Sequence, residues 1–290
     1  MPPSPPSLVA VGPWDRGEFA SLQAELDPMR EWPTAATLSA LLKQLSANDA
    51  VALAAEVILL AQPTPGDNHQ PAIETLRILA PLTRIICIAG SWCEGELRTG
   101  RPPDGVIRLY WYEFAPWWRA TIETADAGRT PAWSEPLDDP RSGQQTPLNV
   151  MATARSHARG DASRSLAVDA PDFAVFETLA TILAPFGWQC EWRPRGRQLE
   201  HAPAVTFDAA IWDGGQLADS ELASLRAFAD SIHTANAAAP VIALLDFPRV
   251  EYLAAVQNAG GAALLAKPYQ LTQLVNELER LAAADWPAHH

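Results

Sequence analysis

A chain of 290 residues that is 48% hydrophobic and 19% charged has material for one large core or two ordinary ones, which excludes a disordered protein. Its 34 acidic residues against 21 basic ones give a formal charge of −13, and a duplex-binding surface needs a basic face, so nucleic acid is excluded as an expected partner; Arg193, Arg195 and Arg197 nevertheless make a local basic cluster. The three cysteines, Cys87, Cys93 and Cys190, are too few and too scattered for a disulfide framework, and no pair has the spacing of a zinc site.

The opening Met1-Pro-Pro-Ser-Pro-Pro-Ser has neither the basic start nor the apolar run of a secretory leader, and no apolar stretch approaches bilayer length. The expectation is a soluble, cytoplasmic protein with no membrane partner.

In the first half, Leu8-Val-Ala-Val reads as a strand, followed by a helix with Phe19, Leu22 and Leu26 on one face and a second helix with Leu38, Leu41, Leu42 and Leu45. Val57-Ile-Leu-Leu-Ala and Arg84-Ile-Ile-Cys-Ile-Ala are strong strands, separated by a helix with Ile73, Leu76 and Leu79. A last strand is expected from Val106 through Tyr112. From about Thr121 to Arg164 the composition turns to Pro, Ser, Thr, Asp, Gly and Arg, too poor in aliphatic residues to hold a core, so a linker is expected there.

The second half alternates strand and helix. Leu166-Ala-Val is a strand, and Phe176, Leu179 and Leu183 form a helical stripe. Cys190-Glu-Trp-Arg and Ala209-Ala-Ile-Trp are the second and third strands. A helix capped by Ser220 turns Leu222, Leu225, Phe228 and Ile232 inward. Val241-Ile-Ala-Leu-Leu is apolar throughout, as a strand covered by helices on both faces must be. A short helix with Leu253 and Val256 stops at Gly260-Gly261; Ala263-Leu-Leu-Ala is the fifth strand, and the last helix carries Leu271, Leu274, Val275, Leu278 and Leu281. Such alternation predicts an α/β fold of two doubly wound, flavodoxin-like parallel-sheet domains, at 6–120 and 165–285, joined by an irregular linker at 121–164.

Ligands of doubly wound sheets collect at the carboxyl ends of the strands. In the second half those ends carry Asp169, Asp213, Leu245-Asp246 and Lys267-Pro268. The run Asp208-Ala-Ala-Ile-Trp-Asp213, and the run from Val256 through Gly260-Gly261 to Lys267-Pro268, resemble the receiver domains of two-component response regulators. The resemblance spans about 120 residues; the first half resembles a receiver that has lost its acceptor. It implies Asp213 as phosphoacceptor, Lys267 as partner of the phosphoryl oxygens, and Asp169 with Asp213 as ligands of a weakly bound Mg²⁺. It also exposes departures. Asp169 is followed by Ala170 where receivers carry a second acid, with Asp172 as a substitute from the loop. Leu245 replaces the hydroxyl expected at the end of the fourth strand, and Leu264 replaces the aromatic expected three positions before the lysine. That pair normally forms the switch.

In the first half the third strand ends in Ala61-Gln62, and the last strand offers no lysine. Trp92, Arg98, Arg101, Tyr110, Trp111 and Tyr112 form a candidate partner surface, since aromatics and arginine anchor interfaces, with packing of sheet edges as the competing reading. A nucleophilic Cys93 would need a positioned base, and His69 is the only histidine in this half. The expectation is a non-enzymatic, response-regulator-like signalling protein acting through protein–protein contacts, with a signalling partner or a histidine kinase; no oligomeric state is implied. An orthodox phosphorelay receiver and an enzyme on a flavodoxin-like fold are the alternatives.

Overall fold

The structure, a computed structural model, describes residues 6–23, 25–26, 32–47, 55–65, 69–96, 102–134, 163–195 and 206–283. The chain divides into two compact units, Met1–Gln144 and Gln145–His290.

The first unit runs β1 (Leu8–Val11), α1 (Gly17–Ala20), β2 (Thr34–Ala35), α2 (Leu38–Ser46), β3 (Val57–Gln62), α3 (Gln70–Leu79), β4 (Arg84–Ala89), β5 (Ile107–Tyr110) and α4 (Trp111–Asp126). Its sheet has the order β2-β1-β3-β4-β5 with every pairing parallel. Every residue of β1 and β3 is buried, because these inner strands are covered on both faces. Thr37 caps α2 by accepting from the Ala40 amide at 3.1 Å, and Leu38, Leu41 and Leu45 then face the core with Ile73 and Leu76 of α3.

The second unit runs β6 (Arg164–Ala170), α5 (Phe173–Leu183), β7 (Trp188–Pro194), β8 (Ala209–Asp213), α6 (Asp219–Ala235), β9 (Val241–Asp246), α7 (Val250–Asn258), β10 (Ala263–Lys267) and α8 (Leu271–Ala283). Its parallel sheet has the order β10-β9-β8-β6-β7. Counted within each unit, both sheets read 2-1-3-4-5, the flavodoxin-like order. Alternate residues of β8 feed two cores: Ala209 and Ile211 pack with Leu179, Leu183, Leu274 and Leu278 on one face, while Ala210 and Trp212 pack with Leu225, Phe228 and Val256 on the other.

Four local expectations are corrected. The strand expected to reach Tyr112 ends at Tyr110, because the Glu113 carboxylate turns back to accept from the Tyr110 amide at 2.7 Å and starts α4. That helix runs to Asp126, through the domain boundary expected at 120. Trp133 then stacks on Trp118 with ring centroids 5.3 Å apart, so the first six residues of the expected linker are helical and residues 132–134 pack against the first unit. Residues 135–162 of the linker lie outside the described residues. Helix α6 opens at Asp219 with Ala218 before it and no side-chain cap, rather than being capped by Ser220. The short strand β2 was not anticipated, two residues being too few to show a period. No helix among the described residues is long and apolar enough to cross a membrane.

Candidate functional site

Parallel pairing in the second unit brings the carboxyl ends of β6, β8, β9 and β10 together. Asp213 pairs in register with Leu244, and Lys267 with Asp246, so the Lys267 side chain reaches back over β9 to β8. Its Nζ lies 3.0 Å from Asp213 Oδ1 and 3.2 Å from Asp246 Oδ1, and it donates to the Gly214 carbonyl. The Lys267–Pro268 peptide is cis. Asp213 is only 5% exposed, and burial holds its carboxyl above the ordinary aspartate range, opposed by the hydrogen bond and charge of Lys267.

Asp169, 6% exposed, faces the same cleft, but its partner is a residue that sequence reasoning had placed only in a basic cluster. Arg195 follows the last residue of β7. Its Nε donates to Asp169 Oδ1 at 2.9 Å, its Nη1 to Glu221 Oε2 at 3.1 Å, and its Nη2 to the Asp213 carbonyl. The guanidinium carbon lies 4.7 Å from the centre of the Trp212 ring, a cation–π contact. Burial raises the Asp169 pKa, with the Arg195 charge opposing it.

Asp172, the expected substitute for the second acid, is engaged elsewhere: it caps α5 by accepting from the Val175 amide at 3.0 Å. Arranged in this way the side chains do not fit the weakly bound Mg²⁺ that the resemblance implied. Asp169 is held by a guanidinium and Asp213 by an ammonium, and among the described residues no group of three or more His, Cys, Asp or Glu side chains is placed to hold a metal ion.

The switch positions are apolar in structure as in sequence. Leu245 is fully buried, and Leu264 packs against the same cluster around Trp212, Phe228 and Val256. Neither side chain offers a hydroxyl or ring that a group on Asp213 could recruit.

At the corresponding place in the first unit β3 ends in Gln62, a neutral amide. Sequence reasoning found no cation for this position because it looked for lysine at the end of β5, whereas Arg108 projects from within that strand. It donates to Gln62 Oε1 at 2.9 Å and to Glu96 Oε2 at 2.6 Å. At both polar ends the paired cation therefore comes from within the unit.

The candidate partner surface divides. Trp92 is 78% exposed, while Tyr110 and Tyr112 are half-buried and stacked on each other with centroids 5.5 Å apart. Trp111 is corrected to core: it is 1% exposed and donates through Nε1 to Ser91 Oγ at 3.0 Å, since the chain is already helical there. Phe114, Trp117 and Trp118 are buried with it. Arg98 and Arg101 lie outside the described residues.

Cys93 has no nucleophile's setting. Its Sγ contacts the Gln62 carbonyl at 3.4 Å, and burial pushes its thiol up to about 11, that of Cys87 up to about 12 and that of Cys190 up to about 11. With so little thiolate at neutral pH, all three cysteines are expected to react with a thiol-specific reagent at least about a hundredfold more slowly in the folded chain than in the denatured one. Timed labelling read by mass spectrometry checks this, and rapid native labelling of Cys93 would contradict it.

No protein-family model and no curated protein sequence matches the chain. Solved structures similar to it include response regulators and receiver domains. A response regulator from Thermotoga maritima is 12% identical, covers 42% of this chain and 100% of its own, and has a TM-score of 0.34. A CheY-like response regulator receiver domain protein from Methanospirillum hungatei is 18% identical over 43% of this chain and 97% of its own, at 0.34. The non-phosphorylated HemR receiver domain from Leptospira biflexa is 23% identical over 44% of this chain and 100% of its own, at 0.34. The flavodoxin-like fold of the second unit rests on its own strand order, 2-1-3-4-5, with Asp213 and Lys267 at the carboxyl ends of its third and fifth strands.

Proposed function

We propose that the chain is a response-regulator-like signalling protein that acts through protein–protein contacts, with an atypical receiver in its second unit and a receiver-like first unit that has lost its acceptor. The observation that carries this reading is the Asp213–Lys267 pair, 3.0 Å apart at the carboxyl ends of the third and fifth strands, set above switch positions that hold only Leu245 and Leu264. The pair is the chemistry of phosphoryl capture, an acid to be modified beside a point charge that steadies the oxygens. The apolar switch positions remove the means by which modification would favour one conformation over another, and a ligand without that difference shifts no equilibrium. The role left to the unit is recognition by a signalling partner in one standing conformation.

The same pair favours a second reading, an orthodox phosphorelay receiver modified on Asp213 by a histidine kinase. Against it stand the 5% exposure of Asp213 and the engagement of Asp169 by Arg195. Incubation with a small-molecule phosphodonor and Mg²⁺, followed by comparison of amide spectra for wild type and Asp213→Asn, separates the two. The proposal expects changes confined to the immediate neighbours of Asp213, or none. Large changes spreading through α7 and β10, absent from the variant, would establish the orthodox switch.

A further inference from the structure

The guanidinium of Arg195 sits where three elements deliver oxygen atoms to one point: the Asp169 carboxylate from β6, the Asp213 carbonyl from β8, and the Glu221 carboxylate from α6. Two carboxylates and a carbonyl are the donor set of a hard divalent cation. We propose that Arg195 is a built-in counter-ion that replaces such a cation, so that the second unit is held in one charge-paired arrangement without metal, and that removing the guanidinium uncovers a divalent-cation site at those oxygens. The inference goes beyond the functional reading above, because it concerns the charge of the cleft and holds whether or not a partner binds there.

Shape, seating and tethering support it. A guanidinium presents its N–H donors in a flat fork, and each of the three nitrogens of Arg195 has its own oxygen partner. One face of the fork lies on Trp212, a fully buried ring. That ring is fixed in turn by Gly214, where an added Cβ would stand 2.0 Å from it, so only glycine lets the chain pass so closely. The cation is also covalently attached. Its effective concentration at the site does not fall when free divalent ions are scarce, and an ion from solution must displace a group that already satisfies the same oxygens. Lys267 supplies the second fixed charge, on Asp213 and Asp246. The cleft therefore presents a settled surface where an ion-dependent one would vary with the medium.

The test is an Mg²⁺ titration of the full-length wild type and of Arg195→Ala, read by calorimetry and by the amide signals of Asp169 and Asp213. Wild type is expected to show no saturable binding up to about 20 mM, and the variant to saturate at least about tenfold lower with both amides shifting. Saturable binding by wild type at these residues would overturn the proposal. Silence from both proteins would overturn it equally, because the oxygens would then form no cation seat. Should Arg195→Ala fail to fold, the Arg195 Nε–H resonance of wild type decides: it stays unmoved through the Mg²⁺ titration if the guanidinium holds its place, and its displacement or loss refutes the assignment.

Discussion

Trp111→Ala is expected to destabilise the first unit by about 3–5 kcal/mol, while Trp92→Ala changes it by less than about 0.5 kcal/mol. The two residues entered the same candidate surface, yet one is 1% and the other 78% exposed. Truncating Trp111 removes a fully buried ring at the first position of α4, a helix that also buries Phe114, Trp117 and Trp118, and leaves Ser91 Oγ without its indole donor. Truncating Trp92 removes a ring that stands largely in water. Urea unfolding followed by signals assigned to the first unit measures both. Comparable costs for the two variants would mean that the chain does not turn into a helix at Trp111. If a partner binds the first unit, Trp92→Ala should weaken that binding without touching stability, since an exposed aromatic contributes only when another surface covers it.

Arg195→Ala is expected to cost the second unit about 3 kcal/mol near neutral pH, because it leaves Asp169 ionised and enclosed with no opposite charge; the partial exposure of Arg195 and Glu221 keeps the figure at the low end for a broken buried pair. The dependence on pH has a definite sign. Burial already raises the Asp169 pKa in the folded chain, and the Arg195 charge opposes that rise. Without Arg195 the opposition disappears and the folded pKa moves higher still. An acid whose folded pKa lies above its unfolded value contributes stability below the unfolded pKa and loses it as pH rises through the folded one. The variant should therefore recover stability as pH falls from neutral toward the ordinary aspartate range, narrowing its gap from wild type, and Asp169→Asn in the same background should recover most of it at neutral pH. A gap that is constant with pH would show that Arg195 acts through packing alone.

These two residues also mark where the sequence was legible and where it was not. The inner strands β3, β8 and β9 were plain because they are apolar on both faces, and once they stood in order, Asp213 and Lys267 fell at strand ends whose convergence follows from parallel pairing. Leu245 and Leu264 were legible for the same reason, position along a strand being countable. Arg195 was not. Its role depends on the register of β7 against β6, where Asp169 stands opposite Arg193, so that a residue just past the strand can lean over its neighbour's carboxylate. No local pattern encodes that register, and three arginines at alternate positions read as a solvated cluster. Trp111 was misplaced because Ile107 to Tyr112 are strand-prone by type, and the stop lies in Glu113, whose carboxylate closes on the Tyr110 amide. Arg108 escaped notice because its partner Glu96 lies in the connection between β4 and β5, where no apolar periodicity fixes the path of the chain.

The central claim is that the second unit holds a receiver's acid and lysine in a cleft whose acids are already paired from within, and serves recognition rather than phosphoryl switching. Titration of the full chain with beryllofluoride, a mimic of the phosphoryl group, in the presence of Mg²⁺ and followed by fluorine resonance, tests it most directly. The account predicts no saturable, Mg²⁺-dependent bound signal from wild type, since Asp169 is committed to Arg195 and the divalent ion that the mimic requires has no seat. A saturable, Mg²⁺-dependent bound signal that disappears in Asp213→Asn would contradict it.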